Sequence, residues 1–227
     1  MIPVVYQNSD FVVVNKPAGL NFHTEELPGL VVLVQQQLGV DHLYPVHRLD
    51  KMTSGLLVLA LNKQTAQTFQ VLFESHQIEK FYIAISEQKP KKKQGWIKGD
   101  MVPARRGSWK LTQSLENPAV TQFISELIQP GERLFLLKPK TGKTHQLRVA
   151  MKSLSAPICG DKRYADSLKA TDESRGYLHA YAIRFTLNEQ QFAFVSSPSS
   201  GVRFMQNKCQ EILQEWQNPW GLIKNKK

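Results

Sequence analysis

His47-Arg48-Leu49-Asp50-Lys51-Met52-Thr53-Ser54-Gly55 runs without a break into residues 56–61, the apolar run LLVLAL. A run this short has the length of a buried strand and falls well below the ~20 residues that cross a bilayer as a helix. The residues in front of it are of another kind: ionisable, hydroxyl-bearing and glycine. Groups at the entrance of a strand sit on loops held by a rigid scaffold, where catalytic side chains concentrate. Asp50 is the only carboxylate among them, and Arg48 and Lys51 flank it. Neighbouring cations keep a carboxylate ionised even when it is partly buried, which gives Asp50 the character of a nucleophile or a base. The plainer alternative is an aspartate that hydrogen-bonds Thr53 or Ser54 in an ordinary turn.

Further strands lie on both sides of this one. Upstream, residues 11–15 (FVVVN) end at Lys16-Pro17-Ala18-Gly19, a turn signature. Residues 56–61 themselves and, downstream, 81–85, 119–128, 134–138, 178–187 and 192–195 have strand character. The polar connection Asn188-Glu189-Gln190 predicts an antiparallel hairpin for the last two. Helices are fewer. Residues 29–38 carry Leu30, Val34 and Leu38 on one face, with Gly39 placed to end the helix. Asn62 is placed to cap a helix in which Ala66, Phe69 and Phe73 recur at helical spacing. Near the C-terminus, Met205, Cys209, Ile212, Leu213 and Trp216 form an apolar stripe that reads as core packing. Many strands, short turns and interspersed helices define an α+β sheet domain, not a doubly wound one.

A second group of chemically capable residues is Lys140-Thr141-Gly142-Lys143-Thr144-His145-Gln146-Leu147-Arg148. Here a glycine-hinged turn leads into a helix. Leu147, Met151 and Leu154 share one face of it, and His145, Arg148 and Lys152 share another. A helix N-terminus with basic side chains suits an anionic partner, whereas a basic stripe read alone is solvated surface. Tyr82 lies in a strand whose alternation sends Phe81, Ile83 and Ile85 to one face and Tyr82 and Ala84 to the other. An aromatic ring there either covers a second core or lines a cleft.

The 227 residues carry 29 Lys and Arg against 19 Asp and Glu, a net charge of +10 that suits a polyanionic partner such as nucleic acid. Lys89-Pro90-Lys91-Lys92-Lys93 and the tract Lys224, Lys226 and Lys227 read as solvated segments able to touch phosphates without reading sequence. The N-terminus MIPVVYQNSDF has neither a basic region nor a long apolar one, so secretion is not expected. Cys159 and Cys209 have no paired spacing, and the six histidines form no HxxxH or HExxH pattern. No GxGxxG or GxxxxGK[ST] loop is present, which argues against nucleotide-dependent chemistry. A metal-free, reduced, cytoplasmic protein is the expectation.

Taken in order, these segments resemble the RluA-type pseudouridine synthases. Residues 47–55 are similar to that family's HRLDxxTSG signature and continue into LLVLALNK. Asn15-Lys16-Pro17-Ala18-Gly19-Leu20 with His23 resembles its NKPxG motif, and Glu79-Lys80-Phe81-Tyr82-Ile83-Ala84 its tyrosine motif. Ala119-Val120-Thr121 resembles its A-x-T strand. Residues 139–148, followed by Pro157-Ile158-Cys159-Gly160-Asp161 and Tyr164, resemble PxTGRTHQxR…PIxGDxxY, and Leu178-His179-Ala180 matches a late LHA element. The resemblance spans residues 5–200. It departs at Lys143, where arginine is common and bidentate geometry is lost, and at Ala150-Met151, where the family often has a histidine.

The resemblance implies an enzyme that isomerises uridine within an RNA chain, exchanging a nitrogen–carbon glycosidic bond for a carbon–carbon bond. It implies no metal, nucleotide or redox cofactor. Asp50 starts the reaction as nucleophile or as base on the ribose. Arg148 holds Asp50 as a charge-assisted pair, and Tyr82 stacks on the uracil and assists a late proton transfer. The uridine is flipped out of its stack, with Arg48 in the vacated space and Lys143 and His145 toward the RNA. The implied partner is structured ribosomal or transfer RNA. The implied fold is a curved, mostly antiparallel mixed sheet in two fused halves, with flanking helices and a central active-site cleft. A single catalytic domain over residues 1–227 is expected, without the small N-terminal RNA-binding module of some members. Two rivals remain: a non-catalytic RNA-binding protein that keeps the fold, and a hydrolase using Asp50 with His47 or His145.

Overall fold

The first apolar run of the chain becomes the second of two antiparallel strands, β1 (Val4–Gln7) and β2 (Phe11–Lys16), followed by α1 (Leu30–Leu38), β3 (Tyr44–Pro45), β4 (Ser54–Ala60) and α2 (Lys63–Glu74). Next come β5 (Glu79–Ser86), β6 (Gly95–Gly99), β7 (Met101–Pro103), β8 (Trp109–Leu111), β9 (Ala119–Gln129) and β10 (Glu132–Pro139). The chain continues through α3 (Gln146–Ser153), α4 (Ser167–Asp172), β11 (Leu178–Leu187), β12 (Gln190–Val195), α5 (Asn207–Glu215) and α6 (Pro219–Leu222). This computed structural model describes residues 1–25 and 27–223, so the basic tract at Lys224, Lys226 and Lys227 lies outside the described residues. No helix among them is long and apolar enough to cross a membrane. The chain divides into two compact units, Met1–Lys80 with His179–Ser197, and Phe81–Leu178 with the residues from Pro198 onward. The architecture is the expected α+β one, a mixed and mostly antiparallel sheet.

In the first unit β4 is the central strand. β2 runs antiparallel along one edge of it, while β3 and β11 share the other, β11 in parallel at His179↔Ser54 and Ala180↔Gly55. Val12, Val13, Val14, Leu57, Val58 and Leu59 are all fully buried. Both faces of these strands are therefore covered, which is why FVVV and LLVLA read as continuous apolar runs and do not alternate. On one face Phe11 meets Phe69 of α2, Phe185 and Phe192 with ring centroids 5.0–5.8 Å apart, all edge-on. The helix caps follow their residues: Asn62 accepts from the Thr65 N–H at 2.8 Å, and Gly39 is left-handed at φ 64°. The β11–β12 hairpin turns on two residues, Asn188 and Glu189, at φ 49° and 65°. That pair of positive angles gives the twist a two-residue hairpin needs.

In the second unit β5, β10, β9 and β6 form an antiparallel run, and β7 and β8 make a separate hairpin. One expectation is corrected here. Met205 is exposed and precedes α5, so the buried stripe is Cys209, Ile212, Leu213 and Trp216 only. The residue before α3, His145, adopts the left-handed conformation, at φ 57°.

Candidate active site

The loop carrying Asp50 is tied down from beneath by a lysine. Lys16, fully buried at the end of β2, donates from Nζ to the carbonyls of Pro17 (3.1 Å), Lys51 (3.2 Å) and Thr53 (2.7 Å). A buried ammonium is tolerated only when its donors are satisfied, and carbonyl oxygens satisfy these. The Gly19 N–H donates to the Lys51 carbonyl at 2.8 Å, and the Thr53 N–H to the Asp50 carbonyl at 3.0 Å. The segments that resemble NKPxG and HRLDxxTSG thus form one fixed piece. Asp50 stands on it half-buried, and Arg48 is exposed.

A histidine from β11 completes the anchorage. Ser54 Oγ lies 2.7 Å from His179 Nδ1, and His179 Nε2 lies 2.8 Å from the Ser196 carbonyl. A carbonyl only accepts, so Nε2 carries the proton and Nδ1 accepts from the serine hydroxyl. Beside it Gly55, at φ 107°, leaves no room for a side chain: an added Cβ would sit 2.3 Å from the Ala180 carbonyl oxygen.

His47 is not a proton carrier. Its Nε2 accepts from the Val58 N–H at 2.9 Å, and its ring lies against Phe73 with centroids 4.9 Å apart. Burial, and then the nearby Lys80 charge, push its pKa down to about 3 from 6.5. This removes His47 as the base of a hydrolase. Its titration also gives a pH dependence with a defined sign. The unfolded chain takes up a proton below 6.5 and the folded one does not until about 3, so stability falls as pH drops through that window. The loss is on the order of 1 kcal/mol for each pH unit. Urea melts at pH 7 and pH 5 are expected to show this slope reduced in His47→Gln, and an unchanged slope in the variant assigns it to other groups.

In the second unit, the segment 140–146 is stapled to β9. The Lys140 N–H donates to the Val120 carbonyl at 2.8 Å, and the Val120 N–H to Thr141 Oγ1 at 3.0 Å. Gln146, 5% exposed, accepts from Thr141 Oγ1 and the Lys143 N–H and donates to the Val120 carbonyl and Thr121 Oγ1. Lys143 Nζ donates to the Asn117 carbonyl. His145 Nδ1 lies 2.9 Å from the Tyr164 hydroxyl, whose oxygen also accepts from the Trp109 N–H at 3.0 Å. Of the expected basic stripe on α3, Lys152 is exposed and His145 half-buried, but Arg148 is not solvated. Arg148 is 8% exposed and pairs with the fully buried Asp161 through Nε (2.8 Å) and Nη2 (2.9 Å). Tyr82, half-buried on β5, pairs with Leu137 of β10.

Asp50 and Arg48 therefore belong to the first unit, and Tyr82, Lys143, His145 and Arg148 to the second. Sequence reasoning missed four supporting residues, Lys16, Gln146, Asp161 and His179, each of which sits inside a motif quoted above. It also missed the basic hairpin of β7 and β8. Its connecting turn, Arg105–Gly107, is held by Arg163 Nη1 donating to the Arg106 carbonyl at 2.9 Å, and Arg105, Arg106, Lys110 and Arg163 are exposed.

Among the described residues one group combines metal-binding residue types at short range: Glu87, Cys159 and Glu173, with ligand atoms within 4.8 Å of one another. The Arg203 guanidinium already lies on Glu87 at 3.0 Å, Glu173 at 2.5 Å and Glu132 at 2.6 Å. Burial pushes the Cys159 thiol up to about 12, so it is not a ready thiolate. The cluster is an ion-pair network around a cation of the protein's own.

The mixed, mostly antiparallel α+β sheet is the fold of the RNA pseudouridylate synthases. The family model of that description matches residues 10–153, and the chain belongs to that family, in its RluA-type branch, whose members are isomerases. An uncharacterised RNA pseudouridine synthase of Haemophilus influenzae is 53% identical over 88% of this chain and 89% of its own length. A tRNA pseudouridine synthase C of Haemophilus ducreyi is 33% identical over 82% of this chain and 85% of its own. The solved human RNA pseudouridylate synthase domain containing 1 shares the fold with a TM-score of 0.77, at 24% identity over 96% of this chain and 95% of that one.

Proposed function

We propose that this enzyme converts specific uridines of transfer RNA to pseudouridine in the cytoplasm, with the Asp50 carboxylate starting the reaction on a flipped-out uridine. The observation that carries this reading is the tie from Lys16 to the carbonyls of Lys51 and Thr53, just after Asp50, which anchors the loop bearing the only carboxylate of its motif. A preorganised charge needs no rearrangement as the transition state forms. The choice of transfer RNA rests on relatives named as tRNA pseudouridine synthases, 33% identical in the case above. In this reading Tyr82 faces the uracil, Arg148 serves the Asp50 carboxylate, Arg48 fills the place of the departed base, and Lys143 and His145 lie toward the RNA. Extrusion of the base costs a few kcal/mol, which phosphate attraction to a chain of net charge +10 helps to offset.

The test is to incubate the protein with unmodified transfer RNA and, separately, with unmodified ribosomal RNA, and to map pseudouridine in each. Product in transfer RNA at full chain length supports the proposal. Product only in ribosomal RNA reassigns the substrate, binding without product leaves an RNA-binding protein, and shortened RNA identifies a hydrolase. The hairpin adds a second expectation. Arg105→Ala, Arg106→Ala and Lys110→Ala combined should lower the slope of log K against log salt by about 2, at roughly 0.7 per lost phosphate contact. An unchanged slope in a binding titration removes the hairpin from the RNA surface.

A further inference from the structure

We infer that Asp161 is a positioning residue for the isomerisation, fixing the Arg148 guanidinium in one orientation; the inference rests on the role given to Arg148 above. Arginine is a long side chain on rotatable bonds, and a guanidinium that must serve a reacting group needs its plane and direction set in advance. Asp161 sets the direction. Its two oxygens take the Nε and Nη2 hydrogens at 2.8 and 2.9 Å, so two parallel bonds fix which way the Nη1 end points. On another side the guanidinium carbon lies over the Tyr164 ring, 5.0 Å from its centroid. Any further acceptor is then served from the Nη1–Nη2 end.

Asp161 is itself immobile. Its Oδ1 also accepts from the N–H groups of Arg163 (3.0 Å) and Tyr164 (3.2 Å), and its side chain has no exposed surface. The backbone beneath it is pinned as well. The Cys159 N–H donates to the Ile85 carbonyl, and the Tyr177 N–H donates to the Cys159 carbonyl, both at 2.9 Å. Gly160, at φ 74°, lies so close to Arg175 that a Cβ would meet its carbonyl oxygen at 2.0 Å. Fastening α3 to residues 157–164 would be achieved as well by apolar side chains, because a buried ion pair is a poor source of net stability. What an ion pair adds is direction. The segment that resembles GDxxY is thus an orienting clamp, with Asp161 on the Nε–Nη2 edge of the guanidinium and the Tyr164 ring beneath its carbon.

The test compares Asp161→Asn, Arg148→Ala and the double variant on unmodified RNA. The asparagine turns an amide N–H₂ toward donors of Arg148 while keeping the shape. Asp161→Asn should lower kcat roughly 30- to 100-fold, in line with a misplacement of about 1 Å, with KM within about threefold. The double variant should be no slower than Arg148→Ala, and Asp161→Glu should recover part of the rate. Full turnover in Arg148→Ala overturns the role of Arg148 and this inference with it. Loss in Arg148→Ala with full turnover in Asp161→Asn overturns this inference alone, as does a double variant slower than Arg148→Ala. Proton exchange in the ¹⁵N-labelled native protein keeps the test open even if Asp161→Asn fails to fold. The Arg148 Nε–H, assigned through Arg148→Lys, should exchange with solvent more slowly than those of the exposed Arg105 and Arg106. Equal rates would falsify the clamp.

Discussion

Asp50→Asn is expected to abolish pseudouridine formation, by at least roughly a thousandfold in kcat, while the affinity for RNA stays within about threefold. The substitution removes the negative charge and almost nothing else. The loop is held through main-chain carbonyls, those of Asp50, Lys51 and Thr53, none of which the substitution touches. The variant should therefore fold, melt near the native temperature and bind RNA, yet leave every uridine unchanged. Phosphate attraction supplies most of the binding and does not depend on one carboxylate. Filter binding and pseudouridine mapping on the same preparation separate the two effects. Normal turnover in the variant would remove Asp50 from the chemistry, and loss of binding together with activity would make it part of the RNA surface.

The second large effect is on folding. Gly55→Ala is expected to destabilise the protein by more than ~3 kcal/mol, because strain at a positive φ adds to a collision with backbone that has no rotamer to escape into. The added Cβ would lie 2.3 Å from the Ala180 oxygen and 2.7 Å from its nitrogen, at φ 107°. In a chain of this size that corresponds to a melting temperature lower by more than ~6 °C. The only relief is for β11 to move away from β4, which would break the Ser54–His179 hydrogen bond next to it. A melting point within a degree of the native one would show that the two strands are not in such close contact.

The elements legible from sequence are those whose own residues decide them. Continuous apolar runs gave β2 and β4, apolar spacing and caps gave α1 and α2, and the short polar connection gave the β11–β12 hairpin. What escaped was decided elsewhere in the chain. β1 is mostly exposed and exists because β2 pairs with it, and β6, with glycines at both ends, is a strand through its pairing with β9. The site divides the same way. Asp50 is conspicuous because its neighbours in sequence are its setting. Arg148 looked like part of a solvated stripe because the carboxylate that buries it, Asp161, lies 13 positions along the chain and is met only after the chain has left α3. Lys16 looked like the start of a turn. No local pattern announces that a lysine will turn inward to three carbonyls.

The Lys16 tie has a consequence for how this protein tolerates mutation. The carbonyls of Pro17, Lys51 and Thr53 that it holds are peptide oxygens, which every amino acid carries, so substitutions at positions 17, 51 and 53 can accumulate without abolishing these acceptors. The Arg148–Asp161 pair uses two side chains, and drift at either one breaks it. One half of the machinery thus stakes its integrity on a single codon, while the other depends on two codons changing in step.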